Sequence, residues 1–545
     1  MTLSVDRRLL IRAGAFGLAA LSTPGFSSSA LAAILAARGF THGVASGEPT
    51  GHSVLLWTRY VGSGETTLRC EVATDEAFAK VVSGGEVTAS PAHDNCAKLV
   101  VTGLEPDRWY HYRFISPDGT MSETGRTRTL PTGDIARFGI GLFSCSNMPF
   151  GWFNAYGHAA ARKDLDLVIH VGDYFYEYGP NGHYPEHPAP GRSVEPDHEI
   201  LSLADYRLRY ASYRLDPDLR ALHQRLPMLA QWDDHEFAND AWMGGAENHQ
   251  SDTEGPWSAR KAAAEKAYRE WMPVSDALYD SFQIGSLATI FRPETRITGR
   301  VKQLELGAAM AGQADVGQAL LAFRDGPWQD EARTLMGAKQ EAWLNGAIAG
   351  SAKSGTRWQV LAQQIVMGPL KAPADMASLS PRDAPEQVRQ ALQAIVAASK
   401  VGLPINMDSW DGYPAARTRL LRAAREAEAN LVVLSGDSHN AWGQNLSVDG
   451  APVGVEYAGH SVTSPGYETY LPGTSPQTVA RALQSANPGL SLCDTSRRGY
   501  VSLDLTPERV RGSWHFLSTI ATRTSAGVTS EERTVAWGTR RFAAA

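Results

Sequence analysis

Four times along this chain a short apolar run ends abruptly in residues that bind metals. Residues 138–144, Phe-Gly-Ile-Gly-Leu-Phe-Ser, stop at Cys145, and residues 165–171 stop at Gly172-Asp173. Residues 228–232 stop at Asp233-Asp234-His235-Glu236, and residues 431–434 run into Gly436-Asp437-Ser438-His439. Short apolar runs bounded by turn residues are the pattern of strands covered on both faces. A helix is predicted over 152–162 and another strand over 358–363, so strands alternate with helices and the class is α/β. In open α/β sheets ligands bind just past the carboxyl ends of the strands. The four motifs therefore predict one shared site.

Taken singly, each motif has an ordinary structural reading: Gly-Asp as a turn, a strand-end cysteine as core, an acidic loop as solvated surface, an aspartate as a cap. Together they gather carboxylates, a thiolate from Cys145 and a phenol from Tyr176, three residues beyond Asp173. So many anions in one place are very costly without a cation, and a bound metal is the natural neutraliser. Thiolate, imidazole and phenolate favour a transition metal, with ferric iron best suited to a phenolate. Carboxylate-only positions favour a hard cation such as calcium or magnesium. The mixture predicts two kinds of metal side by side.

The chain has 545 residues, more than one domain's worth. Residues 40–131 read as short strands separated by turns such as Ser116-Pro117-Asp118-Gly119, which suggests a β-sandwich. The stretch Leu104 to Tyr110 looks like the aromatic corner of a fibronectin type III-like module. Cys70 and Cys96 both lie in this region, and pairing and free thiols are both open; Cys493 reads as a small buried hydrophobe. The formal net charge of -7 points away from a nucleic-acid-binding surface. Near the start, Arg7-Arg8 precede a broken apolar stretch and the small residues Ala30-Leu31-Ala32, the pattern of a twin-arginine secretory leader. That stretch is too short for a stable membrane span. Irregular insertions are expected at 181–199, 299–330 and 467–487. His170 reads as a packed core histidine, His183, His187 and His198 as loop residues near an entrance, Trp410 to Tyr413 as turn packing or substrate mouth, and Arg497-Arg498 as a solvated turn.

The order Cys145, Gly172-Asp173-x-x-Tyr176, Asp234-His235-Glu236 and Gly436-Asp437-x-His439 resembles the PhoD-type alkaline phosphatases, relatives of the purple acid phosphatases and other calcineurin-like metallophosphoesterases. The likeness extends from His42-Gly43-Val44-Ala45-Ser46-Gly47-Glu48-Pro49 through Asp408-Ser409-Trp410-Asp411-Gly412-Tyr413-Pro414 to Ser464-Pro465-Gly466. It implies a metallophosphoesterase β-sandwich core flanked by helices, with a leader at 1–32, an N-terminal β-sandwich domain at 38–132 and a catalytic domain at 134–545. It implies Fe(3+) at Cys145, Asp173, Tyr176 and His439, and Ca(2+) at Asp173, Asp234 and Asp437, with Asn239 as a further neighbour. His235 matches the catalytic histidine, the proton donor to the leaving group, while a metal-activated water attacks phosphorus. Where the family often reads Leu-Asp-Thr-Arg, this chain has Pro293-Glu294-Thr295-Arg296, so no role carries over to that segment. The implied function is an exported phosphomonoesterase that also cleaves diesters, for phosphate acquisition, acting as a monomer on small phosphate esters and exported by the twin-arginine machinery. The alternatives are a phospholipase D-like phosphodiesterase of the same fold and a non-catalytic, metal-holding surface-binding protein.

Overall fold

Apolar strands with no polar face must be covered on both sides, and the chain meets that demand with two stacked sheets and an outer layer of helices on each. The computed structural model describes residues 34, 36–180, 182–379, 386–471 and 473–544; the leader expected at 1–32 lies outside them. From edge to edge, the first sheet runs Thr529–Ala536, Arg509–Phe516, Gly499–Leu505, Phe138–Phe143, Leu167–His170, Met228–Ala230, Gly39–Gly47, Ser53–Val61 and Cys96–Thr102. The second runs Asp280–Ile284, Ala288–Arg292, Trp358–Ala362, Leu431–Ser435, Ala451–Ala458, Ala441–Val448 and Leu490–Asp494.

Side-chain alternation along each strand explains the layering. Ile140, Leu142, Leu167 and Ile169 from the first sheet meet Val360, Ala362, Val432 and Leu434 from the second in a core closed by Trp514. The intervening Val168 joins Tyr156, Tyr210 and Leu222 from the helices Asn154–Ala160, Leu203–Arg214 and Pro217–Arg225. On the far side Leu361, Leu431 and Val433 pack against Leu344 and Leu420 of the helices Gly337–Lys353 and Pro414–Glu426. Two of these helices have clear start signals. Ser202 and Asp205 form a reciprocal capping box, and Asp216 caps a helix that begins with Pro217.

The strands beside the site are parallel and nearly level at their carboxyl ends. Phe143 pairs with His170, and His170 with Ala230, in the first sheet. Phe291 pairs with Leu361, and Ala362 with Leu434, in the second. The loops that leave these ends carry all four metal-type motifs.

The N-terminal part is all-β. A four-stranded sheet of Val81–Ala89, Thr66–Ala73, Trp109–Ile115 and Gly125–Arg128 encloses Val54, Leu56, Leu68, Val72, Tyr112 and Phe114 against the strands at 39–47, 53–61 and 96–102. The aromatic corner is present: the Tyr110 hydroxyl accepts from Glu105 N–H at 2.8 Å. One connection was not expected. Gly47 pairs in parallel with Met228, so the sandwich shares a sheet with the strands that carry the site.

Several expectations need correction. Residues 299–330 are not simply irregular but contain the helices Leu306–Met310 and Val316–Asp325, and 467–487 contains Pro476–Ala486. The apolar residues follow the helical spacing there, Val479 and Leu483 in the second segment and Leu320 and Phe323 in the first. Cys70 and Cys96 are both buried free thiols. They face different cores, Cys70 inside the sandwich and Cys96 toward the helices. Among the described residues, no helix is long and apolar enough to cross a membrane.

Candidate metal centre

Cys145, Asp173, Asp437 and His439 each sit just past a strand, and each has a left-handed backbone, with φ of 61°, 55°, 62° and 61°. A non-glycine residue in that region carries strain of about 1–3 kcal/mol, and such residues cluster at functional sites. The strain reverses the chain sharply, so each side chain turns back over the end of its own sheet. Two glycines let the loops close on one another. A Cβ at Gly172, where φ is +108°, would lie 2.3 Å from Asp233 Cβ, and one at Gly436 would lie 2.6 Å from Ser144 Cβ. Glu236 fastens two of the loops by accepting from the N–H groups of Asp233, Asp173 and Tyr174 at 2.8, 3.0 and 2.6 Å.

The expected residues are brought together. Ligand atoms of Cys145, Asp173 and His439 lie within 4.8 Å of one another, as do those of Asp173, Asp234 and His235 and those of Asp233, Asp234 and Asp437. Asp173 belongs to two of these groups. The Tyr176 hydroxyl donates to Asp173 Oδ2 at 3.0 Å, lies 2.9 Å from His439 Nε2 and accepts from Ser464 Oγ at 2.7 Å. His439 Nδ1 is 2.9 Å from the Pro465 carbonyl. That contact makes Nδ1 the protonated nitrogen and leaves the Nε2 lone pair facing Asp173, the usual arrangement of a ligating histidine. The Asn239 amide N–H donates to Glu177 Oε1 at 2.8 Å and its side chain to Glu247 Oε2 at 3.2 Å.

The electrostatics are those of a site short of positive charge. Burial, with Asp234, Glu236 and Asp437 close by, holds Asp173 well above the usual carboxylate range, although His235 pulls it down. Burial and Asp173 raise the Cys145 thiol, and burial, Asp173 and Cys145 raise the Tyr176 phenol. Burial drives His439 far down. Asp173 Oδ1 and Asp233 Oδ2 are buried with no hydrogen-bond partner. Unsatisfied buried carboxylate oxygens beside a thiol and a phenol fit a metal pair, with soft and phenolic donors on one side of Asp173 and carboxylates on the other.

Sequence reasoning assigned no role to four contributors. Glu177 Oε2 lies 2.6 Å from His235 Nδ1; its only signal was a place one residue beyond Tyr176. Arg296, in the segment to which no role carried over, is fully buried and bonds Asp233, Asp408 Oδ2 at 2.7 Å and Asp437 Oδ1 at 3.1 Å. It leaves the strand Ala288–Arg292 at the same sheet end as the other motifs. Ser464 and Pro465, from the Ser-Pro-Gly motif, complete the half that carries the thiol and the phenol.

Elsewhere, His170 is a core histidine, 2.9 Å from the Tyr156 hydroxyl and pushed down to about 3 by burial. Trp410 and Tyr413 pack in the core beneath the second sheet rather than at a mouth. Cys493 packs partly buried against apolar neighbours. Arg498 is not solvated: it is buried and pairs with Glu468.

Comparison with known proteins agrees with this architecture. A sequence profile described as PhoD-like phosphatase matches residues 138–514, and one described as PhoD-like phosphatase, N-terminal domain, matches residues 26–131. The chain is 33% identical over 512 residues to "Alkaline phosphatase D" of Bacillus subtilis (strain 168), which covers 88% of this chain and 77% of that protein. The solved "Structure of PhoD" matches it with a TM-score of 0.74 and 29% identity, over 96% of this chain and 93% of the other.

Proposed function

The chain belongs to the PhoD-like phosphatase family, and on that premise we propose that it is an exported alkaline phosphatase that cleaves phosphate monoesters and also diesters at an iron–calcium centre. The observation that carries this reading is the position of Asp173, shared between a group with Cys145 and His439 and a group with Asp234 and His235. Cys145, Tyr176, His439 and Asp173 would hold Fe(3+). Asp173, Asp234 and Asp437, with Asn239 beside them, would hold Ca(2+). Ions bound there supply charge neutralisation for the phosphoryl oxygens and activation of the attacking water.

The chain's own groups do the rest. Ser464 holds the Tyr176 oxygen in place, and the Pro465 carbonyl fixes the tautomer of His439. Burial lowers the proton affinity of His235, but Glu177, Asp234 and Asp173 outweigh it and hold the imidazole well above its ordinary value. Paired with Glu177 in this way, His235 serves as the proton donor to the leaving alkoxide. With Nδ1 committed to Glu177, Nε2 is the atom that delivers the proton. Arg296 tethers Asp437 and Asp233 so that the carboxylate half keeps its shape.

Export through the twin-arginine route to the periplasm or the extracellular space follows from the Arg7-Arg8 leader and suits a phosphate-scavenging role. The same reading divides the mature chain into a sandwich domain at 38–132 and a catalytic domain at 134–545. The test combines elemental analysis of enzyme purified without chelator with a search for a phenolate-to-iron absorption band and assays on aryl monoester and diester substrates. Iron and calcium with the band, and hydrolysis that falls about 10²–10⁴-fold in His235→Ala, are expected. Zinc alone with no band defeats the metal assignment, and full activity in His235→Ala defeats the mechanism.

A further inference from the structure

A second cluster of unsatisfied polar groups lies away from the metal centre, between the N-terminal sandwich and the helical layer. Its centre is Arg214, the last residue of the helix Leu203–Arg214. The side chain is fully buried, and none of its three guanidinium nitrogens makes a well-aligned hydrogen bond, the Tyr174 hydroxyl lying close enough only for a weak one. Among the described residues it forms no ion pair. Its Cζ lies 4.2 Å from the ring centroid of Trp57, on the strand Ser53–Val61. The other fully buried arginines are served differently. Arg209 donates to backbone carbonyls, including Glu195, Pro196 and His198, and Arg296 and Arg300 meet carboxylates.

The groups that feel the charge of Arg214 include His42, Tyr112, His223 and Tyr174. The His42 Nε2 and His223 Nδ1 are buried with no well-formed hydrogen bond, and the hydroxyls of Tyr112 and Ser46, which approach one another, have no partner beyond that contact. Each is a hydroxyl or an imidazole nitrogen able to donate. The neighbouring carboxylates are already engaged. Asp216 takes Arg192 and the N–H groups of Asp218 and Leu219, Asp94 takes Arg59, and Glu123 takes Arg220. A buried, unpaired cation costs several kcal/mol, and a cation–π contact returns only about 0.5–2 kcal/mol. A buried cation ringed by hydroxyls and imidazole nitrogens able to donate, with no free carboxylate among its neighbours, is the lining that an anion takes.

We propose that Arg214, with His42, Ser46, Tyr112 and His223, forms a buried binding site for one small monovalent inorganic anion of the halide class. The donors are enclosed on all sides, with His42 only 2% and the others 0% exposed, so the occupant is small. The site reaches the metal-bearing turn through Tyr174, whose hydroxyl lies 2.8 Å from His223 Nε2 and which adjoins Asp173 in the chain. The anion thus joins the sandwich to the helices and steadies that turn from behind. It requires no assumption about which metals the centre holds.

The test uses the full enzyme purified and crystallised in bromide salts, with anomalous diffraction recorded at the bromine edge and at long wavelength. A single halide signal beside Arg214 is expected. A peak without anomalous signal, which is water, or no peak at all, overturns the proposal. In parallel, replacing gluconate with chloride at constant ionic strength should raise the Tm of the wild type saturably and leave Arg214→Gln unmoved. An equal response of both proteins also overturns it. Should Arg214→Gln not fold, the wild-type anomalous map decides the question alone.

Discussion

His235 Nδ1 lies 2.6 Å from Glu177 Oε2, and both side chains are buried. The other oxygen of Glu177 accepts from the Asn239 N–H at 2.8 Å and from Asn248 Nδ2 at 2.9 Å. The carboxylate is therefore fixed from the side opposite the histidine. It is also the first of the groups that raise the proton affinity of His235 against the effect of burial.

Glu177→Gln keeps the shape and most of the bonding but removes the charge. The proton affinity of His235 then falls. A proton donor works only while protonated, so the alkaline limb of the kcat profile should move to lower pH, by about 1–3 units for an opposite charge at this distance. Activity near neutrality should change far less than activity at alkaline pH. An unmoved alkaline limb, measured with an aryl phosphate, would show that Glu177 does not set the state of His235.

Arg296 carries the largest electrostatic burden of any side chain at the centre, with Asp233, Asp408 and Asp437 on its nitrogens and Asp234 at 3.6 Å. Arg296→Met removes the charge at similar volume and leaves the carboxylates uncompensated. Loss of one partner from such a buried cluster costs about 3–5 kcal/mol. The variant should melt well below the wild type in chelator, and excess calcium should close part of the gap. Equal melting temperatures in chelator would mean that Arg296 does not neutralise this half.

The class and the location of the site could be read in the sequence because both are local. Strands such as Leu167–His170 and Leu431–Ser435 are apolar runs with turn residues at their ends, and the polar motifs follow within one or two residues. Arg296 and Glu177 could not be found in this way. Their partners are 63 and 58 residues distant in sequence, and only the stacking of the two sheets brings them together. Arg214 was silent for the same reason: a helix-terminal arginine is ordinarily solvated, and its burial depends on a sandwich that packs over it from about 150 residues earlier in the chain. The shared sheet at Gly47 and Met228 likewise rests on a single long-range pairing.

Gly172 offers a test of geometry separate from charge. Its φ of +108° is unsuited to any side chain, and an added Cβ would fall 2.3 Å from Asp233 Cβ and 2.5 Å from Asp233 N. Gly172→Ala must push the loop bearing Asp173 away from the loop bearing Asp234. A displacement of about 1 Å at a reacting centre costs on the order of 10²-fold in rate. The variant should keep its far-UV circular dichroism, lose bound metal on gel filtration and lose activity by that factor or more. Full metal content with wild-type activity would show that the close approach of the two loops is not required.

Metal removal should reverse the dependence of stability on pH near neutrality. In the protein without metal, burial lifts Glu236 to about 7, against about 4.3 in an unfolded chain. A carboxyl group raised on folding binds its proton more tightly in the folded state. Its contribution is present below about 4.3 and is lost as pH climbs through 7. Asp173 and Asp233 are raised in the same direction, by burial before all else. His235, held above its ordinary 6.5, also gives stability that is lost as pH rises through its folded value. His439 runs the other way: it is depressed by burial, so its contribution is lost as pH falls below about 6.5. From neutrality upward the first set prevails, and chelated protein should lose Tm steadily. Bound cations favour the ionised carboxylates, thiolate and phenolate, so loaded protein should gain where chelated protein loses. The Tm difference between loaded and chelated enzyme should therefore widen continuously from pH 6 to about pH 9, and a difference that stays constant across that range would show that metal binding does not displace protons from these groups.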